Sequence, residues 1–281
     1  MIAALASLLA AAALLWLGAG ALLWTEQERL LFPAPGGIER DALDQAAREL
    51  GVETLDLRAA DGTSLYGWYR AAGGTRAVLY FHGNAETVAG SGALMRRANQ
   101  LGWDFGVVAY RGYPGSEGAP GEAGIALDAR ALFDHTVQRG IPAERVVLHG
   151  RSLGGAVAGA LAAEVEPGGV VLESTFTRLA DVAREAFPLW PVDGLLRHPF
   201  DTWSRLDRMP RHLLHVHGAL DQVVPVHHGR SLAARTGAPY REVPGGRHDD
   251  SHVLSDPEAR ALWEQLLREV APDDDLAGRA P

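Results

Sequence analysis

The stretch Arg145-Val-Val-Leu-His-Gly-Arg-Ser152-Leu-Gly-Gly155 decides the fold. Residues 145–149, with three apolar residues at their centre, predict a short buried strand, and the small residues from 153 to 163 predict a helix. Between them lies a G-x-S-x-G pattern, which is typical of a serine on a sharp turn from a strand into a helix. A serine in such a turn has a strained backbone, and the glycines on either side remove side chains that would collide with it. The pattern therefore predicts an accessible hydroxyl on Ser152.

The pentapeptide is weak evidence when taken alone, because a chain with 33 glycines readily contains such a pattern by chance. The chain also holds a near-copy, Gly229-Arg230-Ser231-Leu232-Ala233. This copy lacks the second glycine, and no predicted strand leads into it. We therefore expect Ser231 to be inert and Ser152 to be the functional serine.

Length and composition limit the class of protein. The 281 residues suffice for one large domain with a sizeable core. The formal net charge of −9 argues against a nucleic-acid partner. Cysteine is absent, which excludes a thiolate nucleophile, disulfide bonds and cysteine-based metal sites. We expect no cofactor.

An apolar, uncharged run covers residues 2–24. As a helix it would be about 34 Å long, enough to cross the hydrocarbon core of a membrane. We expect residues 1–25 to form an uncleaved, single-pass signal-anchor. A cleaved signal peptide and a buried helix of a soluble protein remain alternatives. A very short N-terminal tail favours an orientation that sends the globular part to the extracytoplasmic, periplasmic side.

Strands and helices alternate along residues 26–270, which predicts one α/β domain with a mostly parallel, doubly wound sheet. Residues 175–210 are rich in aromatic residues and proline, and we expect them to form a small cap over the sheet. Residues 271–281 are predicted to be a loose acidic tail. The predicted strands are residues 54–58, 64–70, 76–81, 105–110, 145–149, 169–173, 211–217 and 240–243.

Three polar residues follow three of these strands: Ser152, Asp221 and His248. The carboxyl ends of parallel strands meet at one edge of a sheet, so the three side chains are expected to converge. The order Ser…Asp…His is the order of an α/β-hydrolase catalytic triad. Ser152 would be the nucleophile, His248 its base, and Asp221 the group that orients the imidazole. Asp201 and His252 remain alternatives for the acid and the base.

A nucleophilic serine also needs backbone N–H groups that stabilise a developing oxyanion. One is expected from Leu153, at the start of the helix. The second is expected from Asn84, in the loop after strand 76–81, with Ala85 as the alternative. We expect Tyr113, Phe187 and Trp190 to line the substrate pocket.

Histidines close together in sequence raise a metal-dependent alternative. His215 and His217 share one face of a predicted strand, and His227 and His228 follow shortly after it. A His-x-His pair on a strand can bind zinc. No acidic ligand pair is evident nearby, so we expect no metal at the functional site.

These residues together carry a resemblance that covers nearly the whole chain. The matching segments are the N-terminal apolar run, the elbow around Ser152, His82-Gly83-Asn84-Ala85, Tyr110-Arg111-Gly112-Tyr113, Glu173-Ser174, Pro188-Leu-Trp-Pro191, Phe200-Asp201, Gly218-Ala-Leu-Asp221 and Gly246-Arg-His248-Asp249. The sequence resembles the membrane-anchored α/β-hydrolase-domain family, which includes protein depalmitoylases and esterases. The cysteine-rich N-terminus of some depalmitoylating members is absent here.

The resemblance implies an α/β-hydrolase fold and a serine hydrolase that cleaves a carboxylic ester or thioester through an acyl-enzyme. The substrate partner would be a small-molecule or lipid-like acyl ester. Hydrolysis of an amide, as in related aminopeptidases, and a non-catalytic binding scaffold remain alternatives. The sequence indicates no oligomeric state.

Overall fold

The computed structural model describes residues 2–272, so nearly all of the predicted acidic tail, residues 271–281, lies outside it. The described residues contain one eight-stranded sheet in the order β1-β2-β4-β3-β5-β6-β7-β8. Strands β3 to β8 run parallel to one another, while β2 pairs antiparallel with β1 and β4. The strands are β1 Glu53–Arg58, β2 Ser64–Arg70, β3 Ala77–Phe81, β4 Asp104–Val108, β5 Val146–Arg151, β6 Gly169–Glu173, β7 His212–Gly218 and β8 Tyr240–Val243.

Ten α-helices accompany the sheet in the described residues. They are α1 Ile2–Leu31, α2 Arg40–Leu50, α3 Gly92–Gln100, α4 Glu122–Gln138, α5 Leu153–Val165, α6 Leu179–Ala186, α7 Val192–Leu195, α8 His227–Thr236, α9 His252–Ser255 and α10 Pro257–Val270. Helix α10 begins with Pro257, and proline is favoured at the first position of a helix. The Asp256 side chain caps it by accepting a 2.7 Å hydrogen bond from the Ala259 N–H.

The burial of the strands follows their composition. Every residue of β3, β4 and β6 is buried, as expected of central strands whose apolar runs are covered on both faces. Strand β1 lies at the edge and buries only one residue, Leu55. This arrangement places the loops that follow β3, β5, β7 and β8 at the same edge of the sheet.

The predicted mostly parallel sheet with all eight strands is confirmed, with strand ends that differ by at most two residues. The one-turn helix α9 was not predicted, because four residues are too few to show a helical period. Residues 175–210 contain α6, α7 and a 3₁₀ helix, Trp203–Arg208. We keep the name cap segment for these residues.

Helix α1 is longer than the predicted anchor and continues to Leu31. Within residues 2–272 it is the one helix long and apolar enough to cross a membrane, and none of its most apolar part is buried inside the protein. This exposure disfavours the alternative of a buried helix in a soluble core. From Trp16 onward, α1 contacts the cap segment, and Trp16 itself stacks on Trp190 with ring centroids 4.5 Å apart.

Candidate active site

Ser152 occupies the turn between β5 and α5. Its backbone has φ 52° and ψ −119°, a conformation that a non-glycine residue adopts only where the surrounding structure enforces it. A Cβ on Gly150 would lie 2.1 Å from the Gly154 carbonyl oxygen, and a Cβ on Gly154 would lie 1.9 Å from the Phe81 carbonyl oxygen. Both glycines are therefore needed to form this turn against the end of β3.

Replacing Gly154 by alanine should lower the free energy of unfolding by about 3 kcal/mol or more, because the new methyl group meets rigid backbone. The matched control is Gly159→Ala in the same helix. There the nearest atom, 3.0 Å away, is the flexible end of Met209. The higher helix propensity of alanine should keep that variant within about 1 kcal/mol of the parent protein. Urea unfolding measures both, and equal stability of the two variants would contradict the tight elbow.

The structure brings Ser152, His248 and Asp221 into one chain of hydrogen bonds. The Ser152 Oγ lies 3.0 Å from the His248 Nε2, and the His248 Nδ1 lies 2.7 Å from the Asp221 Oδ2. Ser152 follows β5, Asp221 follows β7, and His248 lies in the loop after β8. The three residues are far apart in sequence, and only the parallel sheet places them side by side.

The surroundings of Asp221 favour its ionised form. Burial raises the pKa of this carboxyl, but hydrogen bonds from His217 and His248 outweigh burial and hold the pKa well below its usual range. The backbone N–H groups of Val223 and Val224 also donate to Oδ1, at 2.9 and 2.8 Å. Because an ionised carboxylate only accepts, the His248 Nδ1 must carry the proton. The Nε2 is then free to accept the hydrogen bond of the Ser152 hydroxyl.

The loop after β3 lies directly beside the serine. A Cβ on Gly83 would be 3.4 Å from the Ser152 Cβ, so the backbone approaches the hydroxyl closely. The Asn84 side chain is fully engaged: its Nδ2 donates to the Leu31 carbonyl at 2.6 Å, and its Oδ1 accepts from the Tyr113 hydroxyl at 2.9 Å.

Three backbone N–H groups near Ser152 make no hydrogen bond within the described residues. Within residues 2–272, neither the Asn84 N–H nor the Leu153 N–H donates to a protein acceptor. The Ala85 N–H has no acceptor there either, and Ala85 has φ 56°. Free donors beside a serine hydroxyl are the groups that an oxyanion hole requires.

A buried ion pair holds the neighbouring loop in place. The Arg111 guanidinium binds the fully buried Asp128 carboxylate at 2.8 Å, and the Arg111 backbone N–H donates to the same carboxylate at 2.8 Å. Arg111 thereby fixes the loop after β4 that carries Tyr113. Tyr113 is itself buried and its hydroxyl supports Asn84, and its place in the substrate pocket stays a prediction.

Glu173 at the end of β6 is an active-site neighbour to which the sequence pattern assigned no role. Its carboxylate is buried, accepts from the His252 backbone N–H, and lies 2.8 Å from the His149 Nε2. Its carbonyl accepts a 2.9 Å hydrogen bond from the Ser152 N–H. Glu173 thus ties the elbow to the chain just after His248. A glutamate that ends a wholly apolar strand was the signal that could have identified it.

The alternative acid and base are engaged elsewhere. The Asp201 Oδ1 accepts from the Ser204 N–H at 2.9 Å inside the cap segment. The His252 Nε2 lies 3.0 Å from the hydroxyl of Ser174, and not from that of Ser152. Ser231 lies within helix α8, away from any strand-to-helix turn.

The histidines considered as metal ligands separate into two groups. On β7, the His215 Nε2 pairs with the Thr236 hydroxyl at 3.0 Å, and the His217 Nε2 donates to the Val224 carbonyl at 2.9 Å. His217 also lies 3.4 Å from the Asp221 carboxylate, so it supports that residue. His227 and His228 instead cluster with an acidic partner in the cap segment, Glu185, with ligand atoms within 4.8 Å of one another.

Sheet topology, the strained serine turn and the hydrogen-bonded Ser-His-Asp chain define the class: this is an α/β hydrolase. A family model described as "Serine aminopeptidase, S33" matches residues 74–196. An uncharacterized protein of Mycobacterium tuberculosis, Rv2307c, is 34% identical over 252 residues, covering 87% of each chain. The Arabidopsis thaliana α/β-hydrolase domain-containing protein WAV2 is 30% identical and covers 88% of this chain and 89% of its own. The chain belongs to this α/β-hydrolase domain-containing family.

Solved structures support the same fold. An α/β hydrolase from Vibrio vulnificus superposes with a TM-score of 0.68 at 22% identity, covering 85% of this chain and 91% of that one. The Pyrococcus furiosus esterase Pf2001 superposes with a TM-score of 0.67 at 16% identity, covering 85% of this chain and 97% of that one.

A yeast relative, from Saccharomyces cerevisiae, is named an uncharacterized membrane protein and is 31% identical, covering 81% of this chain and 84% of its own.

Proposed function

We propose that the protein is a serine hydrolase that cleaves a carboxylic ester or thioester through an acyl-enzyme. The observation that carries this proposal is the chain of hydrogen bonds from Ser152 through His248 to Asp221. His248 takes the proton of the Ser152 hydroxyl as the oxygen attacks the substrate carbonyl carbon. The carbonyl π electrons move to its oxygen, where the N–H groups of Asn84 and Leu153 stabilise the negative charge.

The tetrahedral intermediate then collapses. His248 returns the proton to the leaving alcohol or thiol as the bond to the carbonyl carbon breaks, which leaves an acyl group on Ser152. Water repeats the sequence with His248 as base and releases the carboxylic acid. Asp221 stabilises the imidazolium that forms in each half-reaction, and its low pKa keeps it ionised throughout.

A second candidate is hydrolysis of an amide or peptide by the same residues, which the description of the matching family model favours. The name of the Pyrococcus furiosus structural neighbour favours an ester. Stopped-flow kinetics with a p-nitrophenyl ester and the matched p-nitroanilide distinguish them. An ester-cleaving acyl-enzyme gives a burst of nitrophenol equal to the enzyme concentration and no comparable release of nitroaniline. Absence of any release by folded protein would favour a binding scaffold.

We also propose that α1 anchors the protein in a membrane with the globular part on the extracytoplasmic side. The exposed apolar surface of α1 and the name of the yeast relative support the anchor. The protein should then stay with membranes in alkaline carbonate and dissolve only in detergent. Protease added outside intact spheroplasts should digest the globular part, whereas a protected domain would contradict the orientation.

A further inference from the structure

A groove runs between α1 and the cap segment, and the part of it that reaches Leu31 is a cavity of about 110 Å³. Its walls come from both elements. The residues that matter for the argument are Leu23, Leu30 and Leu31 of α1, together with Ala183, Phe187 and Leu196 of the cap segment. A second cavity of about 340 Å³ adjoins it further along the same side of α1, between Trp16 and Trp24. We call the two together the α1–cap groove.

Specific contacts join α1 to the cap segment along the groove. Gln27 is buried, its Nε2 donates to the Leu195 carbonyl at 3.2 Å, and its Oε1 accepts from the Arg197 N–H at 2.8 Å. The Arg197 guanidinium also donates to the Trp24 carbonyl at 3.0 Å. Together with the stacked Trp16 and Trp190 rings, these bonds hold α1 against the cap segment.

The end of the groove at Leu31 contacts the loop after β3. Leu31 lines the groove, and its carbonyl accepts the hydrogen bond from the Asn84 side chain. The residue before Asn84, Gly83, is the one whose backbone approaches the Cβ of Ser152. The groove wall at Leu31 is therefore one hydrogen bond away from the loop that lies against Ser152.

The chemistry of the walls selects the occupant. Among the described residues that line the cavity of about 110 Å³, Gln27 has the only amide or charged side chain. Its amide is already hydrogen-bonded to the cap segment. A sugar, a peptide or a phosphate would lose its hydration there without replacement hydrogen bonds. A hydrocarbon chain has no hydrogen bonds to water to lose, and the burial of its apolar surface is favourable. The outer rim of the cap segment also exposes Phe187 and Leu189, beside the apolar surface of α1.

We infer that the α1–cap groove binds the hydrocarbon chain of a long-chain acyl ester, so that α1 is a wall of the substrate site as well as an apolar anchor. This inference rests on the proposed ester hydrolysis. The chain enters beside α1 from the side where that helix is apolar, and its carbonyl end reaches Ser152 past Leu31. The groove therefore determines specificity for the length of the acyl chain and not for the leaving group.

The test fills the groove from the cap side. Ala183 lines the cavity of about 110 Å³. Ala186, about one turn further along the same helix, is exposed and does not line that cavity. In the full-length protein in detergent, Ala183→Phe should lower kcat/KM for p-nitrophenyl palmitate by about 10-fold or more. It should leave p-nitrophenyl acetate within about 2-fold, which also shows that the variant folds. Ala186→Phe should change neither. Equal losses on both esters, or no loss on palmitate, would overturn the inference.

A binding measurement separates this inference from the proposed chemistry. In the Ser152→Ala background, a dibrominated stearate should quench tryptophan fluorescence, since Trp24 and Trp190 line the groove. Adding Ala183→Phe should abolish most of that quenching, and Ala186→Phe should not. Quenching that is insensitive to Ala183→Phe contradicts the groove even if esters are hydrolysed. Quenching that behaves as expected in a protein that hydrolyses no ester upholds the groove and contradicts the proposed function alone.

Discussion

Replacing Ser152 by alanine is expected to lower kcat for an ester substrate by about 10⁶-fold, the loss seen when a triad serine is removed. The residual rate would come from binding and the free N–H donors alone. Stability should barely change, because alanine keeps the Cβ and the strained φ of 52° is already accommodated by the surrounding backbone. Initial rates with a p-nitrophenyl ester, together with a thermal unfolding curve for each variant, measure both quantities.

The chain supplies its own control for that experiment. Ser231→Ala makes the same chemical change in a nearly identical pentapeptide, but Ser231 lies within α8 and follows no strand. We expect Ser231→Ala to retain full activity. A protein in which the two substitutions have similar effects would not use the elbow serine as its nucleophile.

Asp221→Asn is expected to lower kcat by about 10⁴-fold while the protein stays folded. The asparagine Oδ1 can still accept from the N–H groups of Val223 and Val224, so its Nδ2 amide would face the His248 Nδ1. The amide donates, so the imidazole must accept at Nδ1 and move its proton to Nε2. With a proton on Nε2, His248 cannot accept the proton of the Ser152 hydroxyl.

Asp250→Asn is the matched control, because it removes a carboxylate two residues from His248 that accepts only from the Arg247 N–H in the described structure. We expect its activity to stay within about 2-fold of the parent protein, as for a surface change. If Asp221→Asn retained more than a tenth of the activity, the carboxylate would not orient the base. The ¹⁵N NMR shifts of the imidazole in both variants report the tautomer directly.

The sheet was predictable because its strands are short apolar runs bounded by turn residues, and each side chain of a central strand faces a helix or loop. The positions of Ser152, Asp221 and His248 were predictable for a related reason. Each follows a strand, and parallel strands bring their ends together whatever their separation in sequence. Order along the chain and position relative to strands therefore suffice for these three residues.

Other features depend on contacts that leave no local pattern. Glu173 is one glutamate at a strand end, and its partners His149 and His252 are known only once the loops are placed. The hydrogen bond from the buried Tyr113 to Asn84 is likewise known only once the two loops are placed. The α1–cap groove forms between elements more than 150 residues apart, so hydrophobic periodicity in either element cannot reveal it.

The central claim is that Ser152 is a nucleophile activated by His248, and covalent labelling tests it most directly. A fluorophosphonate probe reacts with an activated serine whatever the natural substrate, and intact-mass spectrometry counts the adducts. The account predicts one adduct per chain, located by tandem mass spectrometry on the peptide that contains Ser152. Labelling should be lost in Ser152→Ala, strongly slowed in His248→Ala and unchanged in Ser231→Ala. A folded protein that takes up no probe, or that carries the adduct on another serine, would contradict the claim.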